Sequence, residues 1–336
     1  MKDRFEYIDA MRGAVMILVV MWHVKLYSIH LYGTFSFNDV FFLIMMPAFF
    51  FISGYVGSER WKSWKYLPML LPSVFFMLLW GAQAGWSIHS LFFDVSKGGF
   101  WFTLLLPFYF VIYAFSRLIL TKGLKVSEKA FNITHILLGI LIYLGTAFVV
   151  SPFNPHKNDT LNGLLSVVHF RYYLFFAIGI TAASNREFYL HWSKDSRITT
   201  AMLCLFFAAC IAYFKTDDKL WQTLLLPFIG FSGTQILFTF FYRNRKTFSR
   251  ETRAGKTLQY VGIRTLDIYL LHLFFLPLCL NFIGEFFFKY PNPFLEVIVS
   301  FLIASVVVAG CLIASKLIRT SDILAKLLFG KVIKEQ

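Results

Sequence analysis

Long apolar segments separated by short polar ones recur along the whole 336-residue chain. Most are close to the roughly 20 residues that an α-helix needs to cross a lipid bilayer. The pattern predicts ten helices, with ranges of about 8–28, 37–57, 66–86, 100–118, 133–150, 168–184, 198–214, 220–241, 258–283 and 294–315. We therefore expect an all-α fold, a polytopic membrane helix bundle. Residues 1–336 should form a single transmembrane domain without a separate soluble domain.

The composition supports a membrane protein. Hydrophobic residues make up 58% of the chain and aromatic residues 20%, while only 15% are charged. A typical soluble domain has about 25% charged residues. A water-soluble core could not bury this much apolar surface, so the lipid bilayer is the expected partner.

Lys and Arg residues concentrate in the connecting segments on one side of the membrane, most densely in segment 243–256. By the positive-inside rule we expect both termini in the cytoplasm. The membrane is expected to be the inner or plasma membrane of the cell. The net charge of +14 is spread over many inner segments, which favours anionic lipid headgroups over nucleic acid as its partner.

Two ionisable residues, Arg12 and His23, lie in one apolar run. On an α-helix each residue turns the chain by about 100°, so the eleven residue steps from Arg12 to His23 complete three turns to within roughly 20°. Both side chains therefore lie on one helix face, about 16 Å apart along the axis. Because ionisable groups at membrane depth are costly, this face should line a polar interior. Two alternatives remain open: Arg12 could be an interface anchor paired with Asp9, and His23 could simply hydrogen-bond a neighbouring helix.

The helix predicted over 258–283 also carries polar groups: Arg264, Asp267, Tyr269 and His272. We expect His272 to lie well inside the bilayer and to face protein. The four cysteines fall inside predicted helices without metal-ligand spacing, so neither a disulfide nor a metal site is expected.

Two further segments combine small or basic residues with helix ends. In helix 37–57, Ser53 and Gly54 permit either close helix packing or a helix break near the inner end. In the inner loop that follows, Lys62 and Lys65 are suited to phosphate contacts as point charges, although a topology signal alone would explain them equally well.

Six motifs follow one another along the chain. They are Ile8-Asp9-Ala-Met-Arg12-Gly13 with His23, Met46-Pro47 with Ser53-Gly54-Tyr55, the basic pair before Pro68, Trp101-Phe102, Phe175-Phe176 with Gly179, and Gly262 with Ile268-Tyr269-Leu-Leu-His272. Together these motifs resemble membrane-bound acyltransferase family 3. The resemblance spans the first nine predicted helices.

The resemblance implies an integral membrane enzyme that transfers an acyl group, most simply acetyl, from cytosolic acyl-CoA to a hydroxyl of a carbohydrate or lipid-linked glycan. His23 matches the family's essential histidine and Arg12 its companion arginine. Lys62 and Lys65 stand where members commonly have arginines, and Ser53 would join them at the acyl-CoA site. Asp9, Tyr269 and His272 would support the site, and no metal is implied.

A secondary transporter or a flippase for a glycan precursor is the main alternative. Such proteins also place Arg, Asp and His residues inside helices. They usually show two related halves, and we find no corresponding broken helices in 1–168 and 169–336. The pattern therefore favours the acyltransferase.

Overall fold

The computed structural model describes residues 5–32, 35–57, 67–149 and 159–330. These residues form α-helices joined by short 3₁₀ and π-helical turns, and no strand occurs among them. The helices are α1 Glu6–His23, α2 Phe37–Gly57, α3 Leu70–Gln83, α4 Ile88–Phe93, α5 Trp101–Arg117, α6 Glu128–Val149, α7 Asp159–Leu165, α8 Tyr173–Ser184, α9 Arg186–Lys194, α10 Ser196–Lys215, α11 Lys219–Arg243, α12 Arg253–Ile263, α13 Thr265–Leu271, α14 Asn281–Lys289, α15 Pro293–Ile318 and α16 Asp322–Phe329.

In the described part of the chain, 8 helical segments are long and apolar enough to cross a membrane. Two shorter apolar helices, Leu70–Gln83 and Thr265–Phe275, lie where the sequence predicts the third and ninth spans. The all-α polytopic fold is confirmed. The count of ten spans and the cytoplasmic termini stay predictions.

The helix predicted over 258–283 is not continuous. It is divided into α12 and α13 at Arg264, where the Thr265 hydroxyl donates to the Gly262 carbonyl at 2.6 Å and competes with the helical backbone pattern. A 3₁₀ turn then ends at Phe275, and Leu276 is extended, with φ −67° and ψ 126°. Pro277 explains this end because a proline disfavours helical geometry in the residue before it.

The chain separates into two compact units, and the first comprises 1–49, 191–215 and 225–321. Its centre is α1, which packs against α12, α13 and α15. Glycines allow α1 and α12 to approach closely. A Cβ on Gly13 would lie 2.0 Å from the Leu258 carbonyl oxygen, and one on Gly262 would lie 1.9 Å from the Asp9 carbonyl oxygen.

The second unit comprises 50–190, 216–224 and 322–336. It contains a second close glycine contact, between the end of α2 and α8. A Cβ on Gly54 would lie 2.2 Å from the Phe176 carbonyl oxygen, and one on Gly179 would lie 2.1 Å from that of Phe51. The close packing predicted for Ser53-Gly54 is confirmed at Gly54.

Candidate active site

The predicted pair Arg12 and His23 lies on one continuous helix, α1, in the first unit. Most of α1 is buried, including Met11, Gly13 and Met21, whereas Arg12 and His23 are only partly buried. Arg12 is near the helix start, and His23 is the last α-helical residue before the π-helical turn Val24–Ile29. The shared face predicted from their spacing is thus formed by an unbroken helix.

His23 is held by two partners. Its Nδ1 lies 2.9 Å from the Val19 carbonyl oxygen, one turn earlier on α1, and 3.2 Å from Nε2 of His272. The two imidazole rings meet edge to face, with centroids 4.7 Å apart. Residues that are far apart in the sequence therefore form a histidine pair.

The partners of His272 define the tautomers of both rings. His272 is 0% exposed, and its Nδ1 lies 2.8 Å from the Tyr269 carbonyl oxygen and 3.2 Å from that of Ile268. Only a protonated Nδ1 can bind two carbonyl oxygens, so in the neutral ring Nε2 is the acceptor. Nδ1 of His23 then carries the proton and donates it, which leaves the lone pair of His23 on Nε2.

Arg12 forms a loose ion pair with Asp9, as the sequence predicts. Its Nη1 lies 3.7 Å from Oδ1 of Asp9, and the arginine side chain is 25% exposed while that of Asp9 is 9% exposed. The ion pair keeps Arg12 near the start of α1, and a guanidinium can bind an anionic group through two parallel hydrogen bonds.

Asp267 belongs to a buried network that the sequence did not reveal. Both carboxylate oxygens accept from Arg319, with Nη2 to Oδ1 at 2.7 Å and Nε to Oδ2 at 2.8 Å. The Ser315 hydroxyl also donates to Oδ2, at 2.6 Å. Such a bidentate pair is strong and directional, and it ties α13, which leads to His272, to α15.

Arg264 stands at the break between α12 and α13. It is 4% exposed, and its guanidinium carbon lies 3.9 Å from the centroid of the Tyr260 ring. A cation this close to an aromatic face is stabilised by the ring quadrupole. Arg264 thus has a local structural role in the same unit as Arg12.

The other residues predicted for the site are Tyr269, Ser53, Lys62 and Lys65. Tyr269 is 5% exposed and contacts His272 through its backbone carbonyl, while Ser53 is half-buried on α2 within the second unit. Lys62 and Lys65 lie outside the described residues, so their predicted contacts with acyl-CoA stay predictions.

A family model described as an acyltransferase domain matches residues 5–316. The chain belongs to acyltransferase family 3. The resemblance drawn from the motifs is confirmed, and the protein is a multi-pass membrane acyltransferase. No curated protein and no solved structure matches the chain significantly. The match does not support the transporter or flippase interpretation.

The second unit of this acyltransferase carries the Trp101-Phe102 motif in an aromatic cluster. The indole of Trp101 stacks on His169 at a centroid distance of 3.8 Å, and Arg171 lies 5.1 Å above the Tyr172 ring. Nearby, Lys97 donates to the carbonyl oxygens of Phe92 and Gly163, and burial lowers the Lys97 pKa. His169 and Arg171, at the start of the helix predicted over 168–184, both contact aromatic rings here.

Sequence reasoning also missed the partner of Lys25. Its ammonium lies 2.7 Å from Oδ1 of Asp39, and the lysine side chain is 3% exposed. Lys25 lies within the first predicted helix, 8–28, where an unpaired ammonium would be costly. Its position two residues after His23, within a run of apolar residues, is the signal that could have marked it.

Proposed function

We propose that this acyltransferase moves an acyl group, most simply acetyl, from cytosolic acyl-CoA to a hydroxyl of a carbohydrate or lipid-linked glycan. The observation that carries the proposal is the His23–His272 contact. It assigns the proton of His23 to Nδ1 and leaves a lone pair on Nε2. A neutral imidazole with a defined lone pair is the usual group for activating a hydroxyl near neutral pH.

In the general-base route, Nε2 of His23 accepts the proton of the acceptor hydroxyl while the oxygen attacks the thioester carbonyl. The carbon–sulfur bond then breaks, and the imidazolium returns its proton to the departing thiolate of coenzyme A. In the covalent route, Nε2 attacks the thioester carbonyl and expels the coenzyme A thiolate; the hydroxyl then attacks the acyl-imidazole, the bond to Nε2 breaks, and the hydroxyl proton passes to the thiolate. Both routes need the same lone pair.

Arg12 would serve the donor side of the reaction. Coenzyme A carries several phosphates, and a partly exposed guanidinium can bind one of them through two parallel hydrogen bonds. Lys62 and Lys65 would add positive charge at the cytoplasmic side, and Ser53 would contribute a hydroxyl. These roles rest on the family motifs and on the positive-inside orientation.

The test is acyl transfer by purified protein in proteoliposomes. Radiolabelled acetyl-CoA serves as the donor, and a glycolipid extract of the producing cell serves as the acceptor. We expect the wild-type protein to release coenzyme A and to label the extract. His23→Ala should reduce both rates by at least about a hundredfold, the contribution expected of a catalytic base or nucleophile.

His191→Ala is the matched control, because His191 is exposed on α9. This variant should react at the wild-type rate, and size-exclusion chromatography should show that both variants remain folded. An unchanged rate in His23→Ala, or a wild-type protein that neither releases coenzyme A nor labels the extract, would contradict the proposal.

A further inference from the structure

A pocket of about 350 Å³ lies in the first unit beside the end of α1. Its lining residues are Trp22, Lys25, Leu26, Leu31, Tyr32, Phe35, Asp39 and Phe214. The volume is at the low end of the range for small-molecule sites, roughly 300–1,000 Å³. It suits a single ring better than a nucleotide-bearing molecule such as acyl-CoA.

The polar end of the pocket is the ion pair between Lys25 and Asp39, with Nζ 2.7 Å from Oδ1. The second carboxylate oxygen accepts from the backbone N–H of Ser36 at 2.9 Å. The pair has no net charge, yet it presents an ammonium donor beside carboxylate acceptors. A neutral ligand with several hydroxyls can use both kinds of group, whereas an anion or a cation would be repelled by one member.

The remaining wall is largely aromatic. Trp22 stacks on Phe42 at 4.2 Å, and Phe35 meets Phe214 edge to face at 5.1 Å. The Tyr32 hydroxyl donates to the Leu26 carbonyl at 2.7 Å, which holds that ring at the rim. Rings fixed in this way present flat apolar surfaces with little conformational freedom left to lose on binding.

The Asp39 side of the pocket is held by contacts outside it. The Asn38 amide donates to Glu296 Oε1 at 3.1 Å and to Ser300 Oγ at 3.2 Å. The backbone N–H of Asn38 also donates to Ser36 Oγ at 2.9 Å. The first turn of α2 is therefore anchored to α15, and the Asp39 carboxylate has a defined position before any ligand arrives.

The pocket begins within one turn of His23. Leu26 and Tyr27 follow His23 by three and four residues, within the π-helical turn Val24–Ile29. Leu26 lines the pocket, and the Tyr27 ring is parallel to the His23 ring at a centroid distance of 5.8 Å. Trp22 and Leu26, which both line the pocket, lie one residue before and three residues after His23, so the pocket borders the turn that carries the histidine.

We propose that this pocket binds the acceptor as a neutral sugar ring. The apolar C–H face of the ring packs against the aromatic wall, and its hydroxyls bind the Lys25–Asp39 pair. This inference rests on the proposed acyltransferase function and adds to it the location and the uncharged chemistry of the acceptor. A lipid tail would pack against the aromatic wall but has no group that can hydrogen-bond to the ion pair.

The decisive variant is the double substitution Lys25→Met with Asp39→Leu. Replacing a buried ion pair by apolar residues of similar volume is often neutral for stability, whereas removing one partner is not. We expect the KM for the glycolipid extract to rise at least tenfold. The KM for acetyl-CoA and the slow release of coenzyme A without acceptor should stay at wild-type values.

The matched control is Lys219→Met with Asp218→Leu, two exposed residues before and at the start of α11. Trp22→Leu provides a second variant that leaves the ion pair intact, and it should also raise the acceptor KM selectively. If the first double variant does not fold, as judged by size-exclusion chromatography, Lys25→Gln with Asp39→Asn replaces it, because this neutral pair keeps the side-chain volume and weakens the hydrogen bonds that a sugar needs but a lipid chain does not.

Three results would overturn the pocket assignment while leaving the proposed function intact. The first is a wild-type acceptor KM in both pocket variants, and the second is a raised KM for acetyl-CoA in either of them. The third is a raised acceptor KM in Trp22→Leu together with a wild-type acceptor KM in the folded double variant, which would indicate that the pocket binds a lipid chain. A wild-type protein that releases no coenzyme A and labels no extract would instead remove the proposed function, and the pocket assignment with it.

Discussion

At the level of single residues, the proposed chemistry depends on which nitrogen of His23 carries the proton. The Val19 carbonyl and Nε2 of His272 both accept from Nδ1, at 2.9 Å and 3.2 Å. His272 is in turn fixed by the Tyr269 carbonyl at 2.8 Å. In the proposed mechanism this chain of contacts would make His272 a positioning residue, which acts on the substrate only through His23.

His272→Ala should therefore lower kcat by about tenfold to a hundredfold and leave the KM for acetyl-CoA unchanged, because the His23 ring loses one of the two partners that orient it. His272→Gln should recover part of the rate, since its amide oxygen can accept from Nδ1. Steady-state kinetics over a range of pH checks this. A purely structural role would lower the amount of folded protein and leave kcat and its pH profile unchanged.

Arg12→Lys should raise the KM for acetyl-CoA more than tenfold, because a point charge cannot reproduce the two parallel hydrogen bonds of a guanidinium. Arg253→Lys, at the start of α12, is the comparison variant. Initial rates at varied acetyl-CoA provide the measurement. If KM and kcat of Arg12→Lys both stay within about twofold of wild type, Arg12 is an interface anchor only.

At the scale of elements, the position of the histidine pair depends on how closely α1 packs against α12. Gly13 and Gly262 face each other's helix, and no side chain fits there because the nearest atoms are backbone carbonyls and amides. Backbone atoms cannot rotate away as side-chain ends can. The contact holds α12 in place, and α13 with His272 follows directly in the chain.

Gly13→Ala should destabilise the protein by at least about 1–3 kcal/mol, the usual cost of overpacking. Gly145→Ala is the control, since a Cβ at Gly145 in α6 would meet nothing within 4 Å. Alanine there should be neutral or slightly stabilising in a helix. Thermal unfolding in detergent provides the comparison, and equal Tm values for the two variants would show that the helices can separate without cost.

At the scale of the whole molecule, function depends on orientation in the membrane. The distribution of Lys and Arg predicts that both termini and the start of α1 face the cytoplasm. Arg12 would then lie toward the cytoplasmic side and the pocket at the end of α1 toward the opposite side. A donor and an acceptor arriving from opposite sides would meet near His23.

Sealed vesicles test this orientation. Radiolabelled acetyl-CoA supplied only to the cytoplasmic face should label glycan on the opposite face, with transfer of the acyl group and not of the nucleotide. Replacing Lys62 and Lys65 together by Gln should raise the acetyl-CoA KM, and added salt should shrink the difference from wild type because it screens charge attraction. Labelling that requires acetyl-CoA on the outer face would contradict the predicted topology.

The sequence by itself determined the fold class and the family. Apolar runs of bilayer length can be identified without long-range information. That Arg12 and His23 share one helix face follows from their spacing and helix geometry alone. The motifs also predict that His272 supports the site. These features depend on periodicity, composition and local order, all of which are properties of one segment at a time.

Only the tertiary structure decided which side chains are partners. The contact of His23 with His272, the pairing of Asp267 with Arg319 and the pairing of Lys25 with Asp39 all join different segments. The break at Arg264 likewise lies within an apolar stretch whose periodicity predicts one helix. Partners of buried charges are selected by packing between elements, and a pattern along one segment carries no information about the segment that will lie against it.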